Sequence, residues 1–352
     1  MKISGYWKDH GANVTLLNDY SNLDDYDSVY ISKVFTDTPF PSDIVETGRI
    51  HLGGTGFYFD KAPNLPEEIE HHMPDYHLYD NWIDEQLKLG RGGKSNDYKF
   101  YRDYSIGFLT RGCFKKCPFC VNQKYDRVFC HSPLEEFYDP DRKKICLLDD
   151  NFLGFPKWKE SLKVLHDINK PFVFRQGLDE RLLTDEKCEL LFNSKYDGDF
   201  IFAFDNISDY ELIRQKLQLI RKHTNSTQIK FYVLVGFEST DELDIENMFK
   251  RIALLFEYRC IPYIMRYQSQ CEQPWKKSKY KILYSAVSSW CNQPSFVKKQ
   301  SFREFCLTTQ ESIKTDGKIC SRLQALLDFE SEYPEIAAKY FDLKFGEIDS
   351  IK

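Results

Sequence analysis

The chain has 352 residues, of which 42% are hydrophobic and 29% charged, and a formal net charge of −6, as is ordinary for a folded protein of about two domains. Its first ten residues lack the apolar run of a signal peptide, and no stretch reaches the length of a membrane-spanning helix. We therefore expect a cytoplasmic protein without membrane contact. In that reducing compartment its 11 cysteines are expected to be metal ligands or catalysts rather than disulfides.

Residues 1–85 are predicted to form a small α/β region. The apolar pattern predicts one helix and then three short strands, in order at residues 3–8, 13–17, 29–34 and 50–57. Alternating elements joined by glycine turns favour a Rossmann-like layer. The glycines of residues 53–56 can cradle a phosphate, but a simple tight turn is preferred because the helix-opening context of a dinucleotide fingerprint is missing. Residues 86–103 are predicted to be an exposed linker.

Residues 104–270 are predicted to alternate strands with helices. Each predicted strand is a nearly continuous apolar run, as expected for parallel strands that are covered on both faces. The runs occupy residues 104–111, 144–151, 172–177, 199–206, 229–238 and 261–267. This pattern predicts an α/β fold with a partial (β/α)6 TIM-like barrel, followed by a helical C-terminal extension over residues 271–352.

Polar side chains follow these predicted strands. In a β/α barrel the loops after the strands converge on one mouth, so such side chains are expected to share a site. They are the cysteines from Cys113 onward, Asp149, Asp150, Asn151, Gln176, Asp205, Asn206, Glu238 and Arg266. Isolated Asp and Asn residues also cap helices and form turns, which is the alternative explanation for each of them alone.

The strongest motif is a cysteine loop directly after the first barrel strand, with Cys113, Cys117 and Cys120 in the spacing CxxxCxxC. Three such thiolates can bind three irons of a cubane cluster and leave the fourth iron without a protein ligand. A closed zinc site is the alternative; it needs a fourth ligand, for which Cys130 and His131 are the candidates.

This motif resembles the CxxxCxΦC signature of the radical SAM superfamily, with Phe119 in the aromatic position. Over about residues 1–305 the chain is also similar to the branch that has a cobalamin-binding-like N-terminal region and includes methylthiotransferase-like enzymes. The similar blocks are residues 1–4, 31–35, 53–56, 74–76, 176–179, 203–206 and 262–265. Relatives usually have a further strand before the first block, and the Asp-x-His-x-x-Gly cobalamin motif is missing here. The Rossmann-like layer is therefore expected to be incomplete and cobalamin is not expected.

The resemblance implies that Cys113, Cys117 and Cys120 ligate a [4Fe-4S] cluster whose open iron binds S-adenosylmethionine. An external one-electron donor, flavodoxin- or ferredoxin-like, would reduce the cluster, and cleavage of the cofactor would give a 5′-deoxyadenosyl radical that abstracts a substrate hydrogen. The implied cofactor-binding residues are Phe119, Asp149, Asp150, Asn151, Arg175, Gln176, Asp205, Gly236, Glu238 and Met265. For Arg175, pairing with Asp179 or Glu180 is an equal alternative to binding the methionine carboxylate.

The substrate class is left open by the sequence. Residues 261–300 hold seven Lys and Arg residues against the single Glu272, and Trp275, Tyr280 and Trp290 are interleaved with them. Lysines neutralise phosphates and aromatic rings stack on bases, so an RNA substrate is one hypothesis; a solvated helix with a buried aromatic face is the preferred alternative.

Three functions are therefore considered for this chain. The first is a radical SAM enzyme of unidentified substrate, and the second is an RNA-modifying, methylthiotransferase-like version of it. The third is a non-catalytic interaction protein that binds an iron-sulfur cluster or zinc.

Overall fold

The computed structural model describes residues 1–90, 98–269, 272–312 and 318–346. The chain divides into two compact units, Met1–Arg175 and Gln176–Lys352. Both units contain helices and parallel strands, which confirms the predicted mixed α/β class. Within the described ranges the parallel strands form small separate sheets, none of which is closed into a barrel.

The N-terminal part of the first unit is a small α/β layer. Its helices and strands are α1 (Lys2–Asp9), β1 (Val29–Ser32), β2 (Ile50–Gly53), α2 (Thr55–Tyr58), α3 (Glu67–Glu70) and α4 (Asp80–Lys88). Strands β1 and β2 pair in parallel. The strand predicted at residues 13–17 is wrong, because these residues are irregular and none of them is buried against a neighbouring strand. The linker predicted at 86–103 is helical at both described ends, and its residues 91–97 lie outside the described residues.

The rest of the first unit is built on a parallel sheet with strand order β3-β6-β7. The elements are α5 (Lys99–Asp103), β3 (Tyr104–Gly107), β4 (Thr110–Arg111), β5 (Phe129–Cys130), β6 (Lys144–Leu147), α6 (Trp158–Ile168) and β7 (Phe172–Phe174). The predicted apolar runs form these parallel strands, and β7 is buried along its whole length. Strands β4 and β5 form a short antiparallel pair that brackets the cysteine loop.

Tyr76 ties the N-terminal layer to this sheet. Its hydroxyl donates a hydrogen bond to the Phe137 carbonyl (2.6 Å) and accepts one from the Ile106 N–H in β3 (2.7 Å). The buried Arg142 guanidinium stacks over the Tyr76 ring at 4.7 Å and donates to the Tyr76 carbonyl. Burial raises the pKa of Tyr76 to about 12, so the hydroxyl stays protonated and available as a donor.

The second unit contains a parallel sheet with strand order β10-β9-β8. The elements around it are α7 (Asp185–Phe192), β8 (Phe200–Ala203), α8 (Tyr210–His223), β9 (Ile229–Val235), α9 (Glu242–Glu257) and β10 (Ile261–Arg266). Asp241 caps α9, because its side chain accepts hydrogen bonds from the backbone N–H groups of Leu243 and Asp244. Each predicted strand and helix of this part is present, with ends that differ by a few residues.

The predicted helical extension is confirmed and shares a core with α9. Its helices are α10 (Pro274–Lys277), α11 (Lys281–Cys291), α12 (Pro294–Val297), α13 (Phe302–Ser312), α14 (Ser321–Glu332) and α15 (Pro334–Tyr340). Phe256 of α9 contacts Trp290 of α11 edge-on at 5.7 Å, and Trp290 contacts Phe302 of α13 at 5.6 Å. This aromatic cluster joins the extension to the second sheet's helical layer. No helix among the described residues is long and apolar enough to cross a bilayer.

Glu180 gives the second unit a testable pH dependence. It is 2% exposed, and its carboxyl accepts a hydrogen bond from the Ala203 N–H at 3.1 Å. Burial, helped by the neighbouring Asp179 charge, raises its pKa from 4.5 to about 8. The folded state therefore favours the neutral acid, and the stability it contributes is complete below pH 4.5 and is lost as the pH rises through about 8.

We expect Glu180→Gln, which stays neutral, to reduce the loss of unfolding free energy between pH 4.5 and 8 by on the order of 4 kcal/mol. Urea unfolding at a series of pH values measures this. The exposed Glu189→Gln on α7 is the control and should leave the pH profile unchanged. Parallel profiles for Glu180→Gln and the wild type would contradict a neutral buried carboxyl.

Candidate metal centre

The cysteine loop has a defined backbone that directs N–H groups at its sulfurs. Cys113, Cys117 and Cys120 are all half-buried, and the Cys120 N–H donates to the Cys117 carbonyl at 2.9 Å, which closes a tight turn. The Cys113 Sγ accepts a hydrogen bond from the Lys115 N–H (3.5 Å), and the Cys120 Sγ accepts one from the Asn122 N–H (3.4 Å). Such donors stabilise the thiolate form, which is the form that binds a metal.

The bare loop does not by itself favour thiolates at every position. Burial raises the pKa of Cys120, and the nearby Cys113 and Asp150 raise it further, while the Asn122 N–H opposes them. A bound metal cation reverses this balance because a coordinating thiol loses its proton. The residues present therefore suit a group that carries positive metal charge into the loop.

Two carboxylates after β6 hold the loop backbone. Asp149, 1% exposed, accepts hydrogen bonds from the Leu109 N–H (3.2 Å), the Thr110 N–H (2.8 Å) and the Thr110 hydroxyl (2.6 Å). Burial raises the pKa of Asp149 to about 6, and these three donors oppose the rise. Asp150 accepts from the Gly112 N–H at 2.7 Å and from the Asn122 side-chain amide at 2.9 Å.

Asn151 reaches a cysteine directly. Its side-chain amide, on a residue that is 3% exposed, donates to the Cys113 Sγ at 3.4 Å. The structure thus brings Asp149, Asp150 and Asn151 to the cysteine loop, as the sequence predicted. Asp149 bonds to Leu109 and Thr110 just before the loop, whereas Asp150 bonds to the residues on either side of the cysteines and Asn151 bonds to Cys113.

The sequence did not single out Asn122 or Thr110, which complete this arrangement. Asn122 follows Cys120 by two residues and is the second residue of a short 3-10 helix, Val121–Lys124, for which Cys120 is the N-cap. The sequence could have indicated this contact, since a side chain that accepts a hydrogen bond from the backbone N–H two residues later forms a common local turn, here with a cysteine sulfur as the acceptor. Phe119 lies between Cys117 and Cys120 of the motif and is half-buried.

The second unit gathers another set of predicted residues at the ends of β8 and β9. The Asn206 side-chain amide donates to Glu238 at 3.0 Å, and the Gly236 N–H donates to Asp244 at 2.8 Å. Burial raises the pKa of Asp205 to about 6, and the charge of Arg251 opposes the rise. Gln176 is exposed.

Arg251 of α9 donates hydrogen bonds to the backbone at the ends of both β8 and β9. It is 2% exposed, and its Nη1 donates to the carbonyl oxygens of Phe204 (3.0 Å), Asp205 (2.9 Å) and Leu234 (2.8 Å). A buried guanidinium with these acceptors and the carboxylates of Asp244 and Asp205 nearby is compensated in charge. Sequence reasoning missed this residue because it lies in the middle of an amphipathic helix.

Two further predicted residues are exposed. Met265, at the end of β10, is 42% exposed. Arg175, directly after β7 in the first unit, stacks over the Phe100 ring at 5.1 Å. Asp179, one of the alternative partners of Arg175, makes a 2.7 Å ion pair with Arg181.

The zinc alternative has candidate fourth ligands on and next to β5. Cys130 is exposed, and His131 forms a 3.0 Å hydrogen bond with Glu70 through its Nε2. Among the described residues, no group of three or more His, Cys, Asp and Glu side chains is arranged to hold one metal ion. A cubane cluster makes a different demand, because each cysteine binds a separate iron.

Residues 261–300, the segment rich in lysine and arginine, have a buried aromatic face. This is the explanation of the segment that was preferred to RNA binding from the sequence. Trp275, Tyr280 and Trp290 are 8%, 7% and 1% exposed, so their rings lie in the core of the second unit. Lys277 pairs with Glu272 at 3.0 Å and Lys279 pairs with Glu332 at 2.8 Å. These contacts neutralise part of the positive charge and leave no stacking platform at these three rings.

No protein-family model and no curated protein matches this chain. A functional proposal must therefore depend on the residues and contacts of the cysteine loop and of the strand ends.

Substitution of Gly112 tests whether the backbone before the first cysteine requires a glycine. It has a φ of +90°, and a Cβ there would overlap the Arg127 carbonyl oxygen. We expect Gly112→Ala to destabilise the protein by about 1–3 kcal/mol in urea unfolding and to speed modification of the loop thiols by a thiol reagent. Gly48→Ala is the matched control, since a Cβ at Gly48 meets open space. Equal effects of both substitutions would contradict the constraint.

Substitution of Arg251 tests whether its guanidinium stabilises the ends of β8 and β9. Arg251→Leu leaves three carbonyl groups without their donor and two half-buried carboxylates without a compensating charge, so we expect a loss of about 3–5 kcal/mol in unfolding free energy. The exposed Arg214→Leu on α8 should change it by less than about 0.5 kcal/mol. If Arg251→Leu lowered the unfolding free energy no more than Arg214→Leu does, the guanidinium would not stabilise these strands.

Proposed function

We propose that the protein is a radical SAM enzyme acting on a substrate that the sequence and structure do not identify. Cys113, Cys117 and Cys120 would hold a [4Fe-4S] cluster, and the cluster would supply the electron for reductive cleavage of S-adenosylmethionine. The observation that supports this most is the cysteine loop itself. Three cysteines lie on one short loop whose N–H groups are directed at two of the sulfurs, and carboxylates of the next parallel strand hold that loop.

The protein's own residues would perform the supporting tasks. Asp149 and Asp150 anchor the backbone at Thr110 and Gly112, directly before the first cysteine. The N–H groups of Lys115 and Asn122 stabilise negative charge on Cys113 and Cys120. Within the second unit, Arg251 fixes the ends of β8 and β9, where Asp205, Gly236 and Glu238 are proposed to bind the cofactor.

The proposal includes the partial (β/α)6 barrel as the architecture. Two observations support it: the strands run in parallel within each of the two three-stranded sheets, and neighbours in these sheets follow chain order, β3-β6-β7 in one unit and β8-β9-β10 in the other. Phe119, Arg175, Gln176 and Met265 are proposed as further cofactor contacts on this basis. A cytoplasmic location and an external one-electron donor, flavodoxin- or ferredoxin-like, belong to the same proposal.

Anaerobic reconstitution with iron and sulfide tests the function. We expect the wild type to gain iron–sulfur absorbance and, with dithionite and S-adenosylmethionine, to release 5′-deoxyadenosine. Cys117→Ala should lose both signals, because one of the three cluster ligands is removed. Cys130→Ala, which changes an exposed cysteine on β5 beside the loop, should retain both.

The alternatives give different results in the same experiment. Retention of zinc that depends on Cys130 would identify a four-ligand zinc site and a non-catalytic protein. A cluster without release of 5′-deoxyadenosine would identify an iron-sulfur interaction protein. Cofactor cleavage that persists in Cys117→Ala would contradict the ligand assignment.

A further inference from the structure

Asn151 occupies a position with a specific chemical consequence. Its side-chain amide donates to the Cys113 Sγ at 3.4 Å, while the other two donors to loop sulfurs described above are backbone N–H groups. A backbone donor can be removed only by substitution with proline, which also constrains the backbone, whereas this side-chain donor can be removed alone. The residue is 3% exposed, so water does not compete for the sulfur from the side of the amide.

The donor is also held in place. Asp149, two residues before Asn151, accepts three hydrogen bonds from Leu109 and Thr110, and Asp150 accepts two from Gly112 and Asn122. The strand end and the cysteine loop are therefore linked at several points on either side of the bond from Asn151 to Cys113. An amide held in this way keeps its dipole directed at the sulfur when the charge on the sulfur changes.

We propose that Asn151 sets the reduction potential of the centre by donating this hydrogen bond to Cys113. The inference rests on the proposed function, because it requires a cluster at the cysteine loop. Hydrogen bonds to ligand sulfurs are one of the means by which a protein tunes an iron–sulfur potential. A donor stabilises the more negative, reduced state more than the oxidised one, so the bond makes the centre easier to reduce.

The electron balance is simple. One electron would pass from the external one-electron donor to a cluster held by the three cysteines; the donor would be oxidised and the cluster would change from the 2+ to the 1+ state. No covalent bond forms or breaks in this step. Asn151 transfers no proton; its amide only stabilises the negative charge that the electron adds. It is thus a positioning and tuning residue, not a catalytic one.

The test is a redox titration of the reconstituted protein, followed by the spectrum of the reduced cluster. Asn151→Leu removes the donor without adding charge. We expect the ratio of reduced to oxidised cluster at a fixed potential to fall about tenfold, which is a shift of about 59 mV for a one-electron couple. Asn151→Asp has nearly the same shape but replaces the donor with a carboxylate, and it should lower the ratio further because its charge opposes that of the added electron.

Thr110→Val is the matched control. It removes the Thr110 hydroxyl that donates to Asp149, so it loosens the same loop without touching a sulfur. Its potential should equal that of the wild type. Equal shifts in Thr110→Val and Asn151→Leu would overturn the proposal in favour of a general loosening of the loop, and so would an unchanged potential in Asn151→Leu.

The outcome separates this inference from the function on which it rests. If the wild type binds no cluster, the proposed function fails and this inference fails with it. If the wild type binds a cluster and cleaves S-adenosylmethionine but the Asn151 variants keep its potential, only the inference fails. If Asn151→Leu binds too little cluster to titrate, Asn151→Asp supplies the measurement, and an unchanged potential there overturns the proposal.

Discussion

The candidate centre depends on carboxylates that accept hydrogen bonds from loop backbone. Irregular backbone leaves N–H groups without the partners that helices and strands provide, and buried N–H groups without partners are costly. Asp149 and Asp150 satisfy these groups at Thr110 and Gly112, immediately before the first cysteine. The conformation of the loop is therefore determined by its link to the neighbouring strand. The rise in the pKa of Asp149 to about 6 is the cost of burying the carboxyl that makes the link.

The second unit uses the opposite charge for a similar purpose. Arg251 lies beneath the ends of β8 and β9 and donates to three backbone carbonyl groups at once. The Nε of the same guanidinium donates to the Asn247 carbonyl within α9 at 3.2 Å, so one side chain links the helix to the strand ends. In both units the polar residues that position the strand ends are buried, while several residues predicted to contact a ligand, such as Met265 and Arg175, are exposed.

Much of the fold could be predicted from local pattern. The apolar runs of β6, β7 and β8 could be recognised as strands, because a strand covered on both faces needs apolar side chains at nearly every position. Residues 13–17 show the opposite case: their pattern suits a strand, but a strand exists only if a neighbour pairs with it. Thr110 and Arg251 could not be identified as important, since their roles arise from contacts with residues far away in sequence.

Cysteine spacing and the order of apolar segments are local properties, so the sequence alone was enough to locate the motif, the parallel strands and the polar residues that follow them. The hydrogen-bond partners of each polar residue were decided by tertiary structure. A consecutive Asp-Asp-Asn run after a strand is equally compatible with binding a cofactor and with holding a loop. Only the packing of β6 beside β3 placed these side chains within hydrogen-bond distance of Thr110, Gly112 and Cys113. Hydrogen bonds require specific distances and directions between residues about 40 positions apart, and no local pattern encodes those.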